Sequence, residues 1–156
     1  MIGREAIARL IPHCGAMCLI DRVLEWDLER IVAATRTHRS PAHPLACRGR
    51  LRSVHACEYG GQAAAVHGGL AAEAAGQQAL PGLIVLLREV HFACDYLDDL
   101  EGELIVEARR LMSAASSWQY AFRLQHAGME LASGRVAVMA RPDLVEALKS
   151  GGQPDC

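Results

Sequence analysis

The sequence lacks both a strong charge of one sign and any long apolar run. Its 156 residues carry a formal net charge of -2 at pH 7, so the composition does not favour nucleic acid or an anionic membrane surface as a partner. No stretch reaches the roughly 18 consecutive apolar residues that a membrane-spanning helix needs. The opening segment, MIGREAIARL, lacks the apolar core of a signal peptide. We therefore expect a cytoplasmic protein that binds neither nucleic acid nor membrane.

Cysteines are present, but their spacing forms no framework. The six cysteines are scattered through a chain that is too long for a disulfide-stabilised mini-protein. Without a secretory signal, we expect these thiols to be reduced. Cys14 and Cys18 have the spacing Cys-x3-Cys, but no matching Cys or His pair follows them, so we expect no metal site.

A single long helix is predicted from Ser53 to Ala75. Of these 23 residues, 12 are Ala or Gly, and no Pro interrupts them. Ser53 is a residue type that commonly caps a helix N-terminus. Glycines in a helix interior each cost about 1 kcal/mol relative to Ala, so this helix requires packing against other elements. Its small side chains let neighbouring backbone approach closely, which suits a helix wrapped by a sheet.

Strand-like patterns lie on both sides of this helix. Before it, two strands are predicted to form a hairpin, and a loop at 40–52 marked by prolines follows them. After it, four long strands are predicted to form an antiparallel meander. The six predicted strands are Met17–Asp27, Ile31–His38, Leu83–Cys94, Glu103–Met112, Ser116–His126 and Glu130–Ala140.

The predicted elements indicate one α+β domain over residues 1–156, in which about six curved strands surround one helix. A chain of this length buries a sizeable core without dividing into two domains. A short N-terminal helix within residues 1–12 and a tail at 142–156, which includes a possible short helix at 142–149, are expected to be peripheral.

Two polar residues, Glu58 and Gln62, lie one turn apart on the otherwise apolar long helix. A carboxylate among apolar neighbours is costly unless it has a partner or a chemical task. This pair is therefore the first candidate for a functional site.

The segment IPHCGAMCLIDRVLEWD at residues 11–27 resembles the opening of the β-hydroxyacyl-ACP dehydratases of the FabZ and FabA type, in which (I/L)PH precedes a (L/V)(L/V/I)DRV strand. Glu58 and Gln62 resemble the E-x-x-x-Q helix of the same family. The resemblance extends from about Ile11 to Ala140 and is strongest to divergent FabZ-like proteins of polyketide or aryl-polyene-type synthesis. It implies the hotdog fold.

The resemblance also implies a hydro-lyase reaction, in which a 3-hydroxyacyl thioester on acyl carrier protein loses water to give the trans-2-enoyl thioester. In the family a His removes the proton beside the carbonyl, a helix carboxylate assists loss of the hydroxyl, and a backbone N–H polarises the carbonyl. The His and the carboxylate come from two subunits of a dimer. The substrate is carried on the phosphopantetheine of the carrier protein or on CoA, and no other cofactor is implied.

Carried over to this sequence, the resemblance makes Glu58 the carboxylate, His43 the base and Ser53 the donor of the backbone N–H. The family's His-Phe-Pro-Gly is replaced by His43-Pro44-Leu45-Ala46, and the Pro-Gly before the helix by Arg52-Ser53. His55 lies one turn before Glu58 on the same face and is an alternative base that also contacts substrate. Gln62 is expected to orient the site, whereas His13 is interpreted as a structural residue that caps a turn.

Two surfaces are predicted from groups of neighbouring residues. Arg48, Arg50 and Arg52 precede the helix and predict a positive patch that docks the carrier protein or its phosphopantetheine phosphate, with a solvated loop as the alternative. The segment 83–87 and a stripe of aromatic side chains predict either an acyl channel or plain core. The stripe contains Trp118, Tyr120 and Phe122.

Three functions are compatible with the sequence. The first is 3-hydroxyacyl-ACP dehydration in fatty-acid, polyketide or aryl-polyene-type synthesis. The second is an acyl thioesterase, which uses the carboxylate to activate water and needs no His43. The third is a non-catalytic or partner-dependent hotdog subunit that binds acyl carrier protein. All three are compatible with a homodimer, a heterodimer or a higher hotdog oligomer.

Overall fold

Seven strands form one continuous antiparallel sheet in the computed structural model, which describes residues 1–13 and 15–141. The sheet curves around a long helix, α2 (Ala56–Ala74), and a short helix, α1 (Arg4–Leu10), precedes its second strand. The strands are β1 (Ile2–Gly3), β2 (Arg22–Trp26), β3 (Arg30–Thr35), β4 (Gly82–Phe92), β5 (Leu104–Ser113), β6 (Ser117–His126) and β7 (Met129–Ala140). The predicted α+β hotdog fold is confirmed. The predicted short helix at 142–149 and the tail at 142–156 lie outside the described residues.

The sheet has the order β1-β2-β3-β5-β6-β7-β4, which confirms the predicted hairpin and corrects the predicted meander. Strands β5, β6 and β7 follow one another, but β4 pairs with β7 rather than with β5. The connection after β4 explains this order. Leu97 is fully buried and its N–H donates to the carbonyl of Leu51 at 2.8 Å, so the chain after β4 runs beside the segment that precedes α2, and β5 then pairs with β3. The seventh strand is the two-residue β1, which pairs with β2.

The long helix begins three residues later than predicted. Ser53–His55 forms a 3-10 turn, and α2 starts at Ala56. The expected N-cap role of Ser53 is wrong, because Arg52 and His55 occupy the two cap positions and neither makes a side-chain capping bond. Instead, the buried Ser53 donates its N–H to the carbonyl of Asp95 at 2.9 Å.

Glycine lets the sheet approach the helix closely. A Cβ atom built on Gly60 would lie 2.4 Å from a ring carbon of Phe122 on β6. Phe122 is itself 1% exposed and therefore belongs to the core. The alternative prediction, in which Phe122 lines an acyl channel, is wrong. The absence of a side chain at position 60 therefore sets the spacing between α2 and the middle of the sheet.

Strand β4 differs from the other long strands because most of it is exposed. Among the described strands it has one neighbour, β7, and no described strand pairs with its other edge. Leu83, Ile84, Val85, Leu86 and Leu87 are 40–54% exposed in the single chain. Such a row of apolar side chains along an unpaired edge is a typical template for pairing with another strand.

Candidate active site

The amide of Gln62 holds the carboxylate of Glu58 in a fixed orientation. Gln62 is 1% exposed, and its Nε2 donates to the Oε1 atom of Glu58 at 2.9 Å. The same Nε2 donates to the carbonyl of Met17, and Gln62 Oε1 accepts from the N–H of Leu19, both at 2.8 Å. Because both ends of the amide are bonded, Gln62 cannot flip without losing hydrogen bonds. The predicted role of Gln62 in orienting the site stays a prediction.

His13 lies at the same carboxylate, which the sequence did not reveal. Its Nε2 atom is 3.2 Å from Oε1 of Glu58, and the two side chains are 32% and 29% exposed. The hydrogen bond from His13 lowers the pKa of Glu58, burial acts in the opposite direction, and the bond from Gln62 lowers the pKa further. Glu58 is therefore ionised at neutral pH. The Nδ1 atom of His13 is buried and has no hydrogen-bond partner in the described chain.

His43 occupies a different place. It is 5% exposed, its Nδ1 accepts from the N–H of Leu45 at 3.1 Å, and its Nε2 lies 3.0 Å from the hydroxyl of Tyr59. Since Nδ1 accepts, Nε2 carries the proton and donates to Tyr59. Burial lowers the pKa of His43, so this ring is neutral and links the loop to α2.

The predicted meeting of His43 with Glu58 of a second subunit remains a prediction, because it involves another chain. Within one chain, the imidazole that contacts Glu58 is that of His13. His55 lies at the N-cap of α2, and its charge makes a minor contribution to the low pKa of Glu58. The N–H of Ser53 is already paired with Asp95, so a thioester oxygen would have to displace that carbonyl. Substrate contacts by Ser53, His55 and Gln62 remain predictions.

The three loop arginines do not form one free positive patch. Arg50 makes ion pairs with Asp98 at 2.7 Å and with Asp99 at 2.5 Å. Its guanidinium also lies 3.9 Å from the ring centroid of Tyr96. Arg48 and Arg52 are exposed and form no ion pair with any described residue. Docking of a carrier protein therefore remains a prediction for Arg48 and Arg52. The charge of Arg50 is balanced by its two aspartate partners.

A cleft of about 1100 Å³ extends from His13 and Glu58 along one side of α2. Its opposite wall comes from the sheet and includes Trp118 and Tyr120, two members of the predicted aromatic stripe. The lining of the cleft also includes Arg9, Gly68, Glu73, Leu83, Ile84 and Arg110. An ionised carboxylate beside an imidazole at one end of a mostly apolar cleft is suited to proton transfer on a ligand with a long apolar part.

Neither a metal centre nor a membrane span is found in the described part of the chain. No group of at least three His, Cys, Asp or Glu side chains in residues 1–13 and 15–141 is arranged to hold a metal ion. None of the helices there is long and apolar enough to cross a membrane.

The sequence model of the ApeP-like family, described as ApeP dehydratase, matches residues 5–149. A sequence comparison with curated proteins found no match. Among solved structures, a chain of the dehydratase heterocomplex ApeI:P from Xenorhabdus doucetiae is similar with a TM-score of 0.80 and 17% identity, over 92% of this chain and 97% of that one. AziG from S. sahachiroi has a TM-score of 0.59 and 20% identity, over 85% and 98% of the two chains. Zebra fish thioesterase superfamily member 2 has a TM-score of 0.59 and 13% identity, over 88% and 95%. At these identities the structures show a shared fold.

Proposed function

The chain belongs to the ApeP-like dehydratase family, and from that premise we propose that it removes water from a 3-hydroxyacyl thioester to give the trans-2-enoyl thioester. The observation that carries the proposal is the ionised carboxylate of Glu58, held by His13 and Gln62 at the end of the cleft. The substrate class fits this arrangement, because the reacting atoms meet the two proton-transfer groups while the acyl chain enters the apolar part.

The elimination requires one group that accepts a proton from C2 and one that donates a proton to the hydroxyl on C3. We assign these two tasks to the pair of His13 and Glu58. The C2–H bond breaks toward the ionised carboxylate of Glu58, the C3–O bond breaks, and the imidazolium form of His13 gives its proton to the departing oxygen, which leaves as water. Proton transfer across the 3.2 Å contact then restores the starting pair. No external oxidant or cofactor enters this balance.

Gln62 serves this reaction by position rather than by contact with the reacting atoms. It donates to the same Oε1 atom that His13 contacts, at 2.9 Å, and thereby leaves Oε2 without a partner in the described chain. The proposal places Oε2 toward the substrate. A fixed acceptor of this kind needs little reorganisation as charge develops.

We further propose that the protein works as part of a hotdog dimer or larger assembly. The open edge of β4 supports this, because its five exposed apolar side chains need cover. A similar chain occurs in a structure described as a dehydratase heterocomplex, so a different hotdog subunit is as suitable a partner as a second copy. The substrate is proposed to arrive on the phosphopantetheine of acyl carrier protein, near Arg48 and Arg52, or on CoA.

One assay distinguishes the three candidate functions. The purified protein is given 3-hydroxyacyl-ACP and the matching CoA thioester, alone and with a second hotdog subunit. Enoyl thioester supports dehydration, and free acid supports a thioesterase. Product that forms only with the second subunit identifies a partner-dependent member.

The Glu58→Gln variant tests the site in the same assay. It should lose about 10²- to 10⁴-fold in turnover, the range expected for one acid–base group, without a change in melting temperature. Glu101→Gln is the matched control, because the Glu101 side chain is 91% exposed and does not line the cleft. Full turnover by Glu58→Gln contradicts the assignment.

A further inference from the structure

Arg110 places a positive charge on the inner face of the sheet. Along β5, the side chains of Leu104, Val106 and Ala108 are buried against the core, and Arg110 follows with the same alternation. Its side chain lines the cleft. A charged side chain on the same face as apolar core residues is costly unless it pairs with an acidic group of the protein or binds a ligand.

Pairing does not explain it. No described carboxylate or carbonyl forms an ion pair or a side-chain hydrogen bond with Arg110. The other charged residues of the cleft are Arg9, Glu58 and Glu73. Glu73 is exposed and forms no ion pair with any described residue, and Glu58 is bonded to His13. The guanidinium of Arg110 thus offers its donors to whatever occupies the cleft.

The neighbourhood of Arg110 is rigid. Tyr120 lies opposite Arg110 in the register of β5 and β6, and its hydroxyl is 2.8 Å from Nδ1 of His67. His67 Nε2 in turn donates to the carbonyl of Asp27 at 2.8 Å. Burial raises the pKa of Tyr120 to about 12, and the charge of Arg110 opposes that rise. Tyr120 therefore stays neutral and is fixed, so it does not neutralise the guanidinium.

The position of Arg110 relative to Glu58 sets a length. Through Tyr120, it lies at the level of His67 on α2, which is nine residues after Glu58. At 1.5 Å per residue the axial separation is about 14 Å, so an extended acyl chain needs at least roughly ten carbons to reach from one level to the other. The cleft connects the two points.

We propose that Arg110 binds an anionic oxygen group at the far end of the acyl chain, so that the preferred substrate is a long acyl thioester with a carboxylate or a similarly acidic oxygen at its distal end. This inference rests on the proposed function for the thioester end of the ligand. Arg109 provides a matched control, because it is the adjacent arginine, is 62% exposed and lies 3.6 Å from Glu29 on the outer face.

The first experiment measures binding and does not require turnover. Calorimetric titrations use two acyl-pantetheine analogues of about ten carbons, the length set by the helix rise, one with a terminal carboxylate and one with a terminal methyl group. The wild-type protein should prefer the carboxylate. Arg110→Met should bind the carboxylate analogue about 10- to 100-fold more weakly, as expected for a charged hydrogen bond, and should change the methyl analogue less than about threefold. Arg109→Met should resemble the wild type.

The proposal is overturned if the wild type does not prefer the carboxylate analogue, or if Arg110→Met and Arg109→Met alter its binding equally. Turnover of a short 3-hydroxyacyl thioester is measured in parallel in the wild type and in Arg109→Met, and should be the same in both. If neither protein turns over the short substrate, dehydration is contradicted. The binding result still supports or overturns the role of Arg110, because it does not depend on turnover. Thermal melting of both variants confirms that the comparison is between folded proteins.

Discussion

The Nε2 atom of His13 lies 3.2 Å from the Oε1 atom of Glu58. The carboxylate on α2 thus meets an imidazole of its own chain, supplied by the segment between α1 and β2. The two residues are 45 positions apart in the sequence, and Gln62 fixes their common oxygen. A proton-transfer pair built within one subunit gives predictions that differ from those for a pair assembled across a dimer.

Substitution of His13 should therefore affect chemistry, and substitution of His43 should affect stability. His13→Asn removes a proton-transfer group and should lower turnover about 10²- to 10⁴-fold with little change in melting temperature. His43→Ala removes a buried hydrogen-bond partner of Tyr59 and should cost about 1–3 kcal/mol of unfolding free energy, while turnover per folded molecule is kept. Steady-state kinetics and urea unfolding of both variants provide the measurement. A large loss of turnover in a folded His43→Ala protein would instead favour the pairing across two subunits.

Stability should fall as the pH decreases below about 6.5. Burial lowers the pKa of His38, His43 and His67 below their usual value of 6.5. Between the lowered pKa and 6.5 the unfolded chain binds more protons than the folded chain, so stability is complete above 6.5 and is lost toward lower pH. Each histidine contributes at most about 1.4 kcal/mol per pH unit. Urea unfolding from about pH 7.5 to 5.5 should show this slope, and His43→Gln should make it shallower; equal unfolding free energies across the range would refute the prediction.

Gly68 should control the length of the acyl chain. It lines the cleft, and a Cβ atom built there meets no other atom within 4 Å. A leucine at this position therefore fits the helix and occupies ligand space. Gly68→Leu should keep the melting temperature and the turnover of short substrates, but should lower the turnover of substrates that reach past this point. Kinetics with acyl thioesters of increasing length test this, and a uniform effect at every length is the contrary result.

Gly60, in contrast to Gly68, should not tolerate a larger side chain. Alanine gains about 1 kcal/mol over glycine in a helix interior, but the new Cβ would lie 2.4 Å from the ring of the buried Phe122. Overpacking a core of this kind costs about 1–3 kcal/mol, so Gly60→Ala should melt at a lower temperature. Gly68→Ala is the control and should melt at the same or a higher temperature. If both alanine variants are equally stable, the proposed close packing of α2 against β6 is wrong.

Charge on the open edge of β4 should dissociate the assembly. Val85 and Leu87 are 54% and 43% exposed in the single chain, and lysines at both positions oppose strand pairing. The double variant should form a smaller species than the wild type in size-exclusion chromatography with light scattering, with the same circular dichroism. Leu28→Lys, at a 62% exposed position outside the strands, is the control. An unchanged mass in the double variant would exclude β4 from the interface.

The sequence predicted most elements because their signals are local. The run of Ala and Gly, the turns and the alternation of apolar side chains locate α2 and strands β2 to β7 to within five residues at each end. Strand order was harder, because the pairing of β4 with β7 depends on the crossing at Leu97 rather than on any local pattern.

The site was predicted only where its residues share one helix. Glu58 and Gln62 are one turn apart, so periodicity alone places them together. His13 reaches them through a tertiary contact that no spacing rule reports. The partner of the Ser53 N–H, Asp95, is likewise set by the chain crossing after β4. The histidine within the quoted IPH segment was the available signal for His13, and its interpretation as a turn cap missed the contact.

The late position of β7 in the chain has a consequence for biosynthesis. β4 emerges from the ribosome well before β7, the strand that covers one of its edges, because chains are made from the N-terminus. During that interval its row of leucine, isoleucine and valine side chains has no partner at either edge. The nascent protein is therefore exposed to aggregation through β4 until β7 has been made, and a truncation before Met129 leaves β4 without this partner permanently.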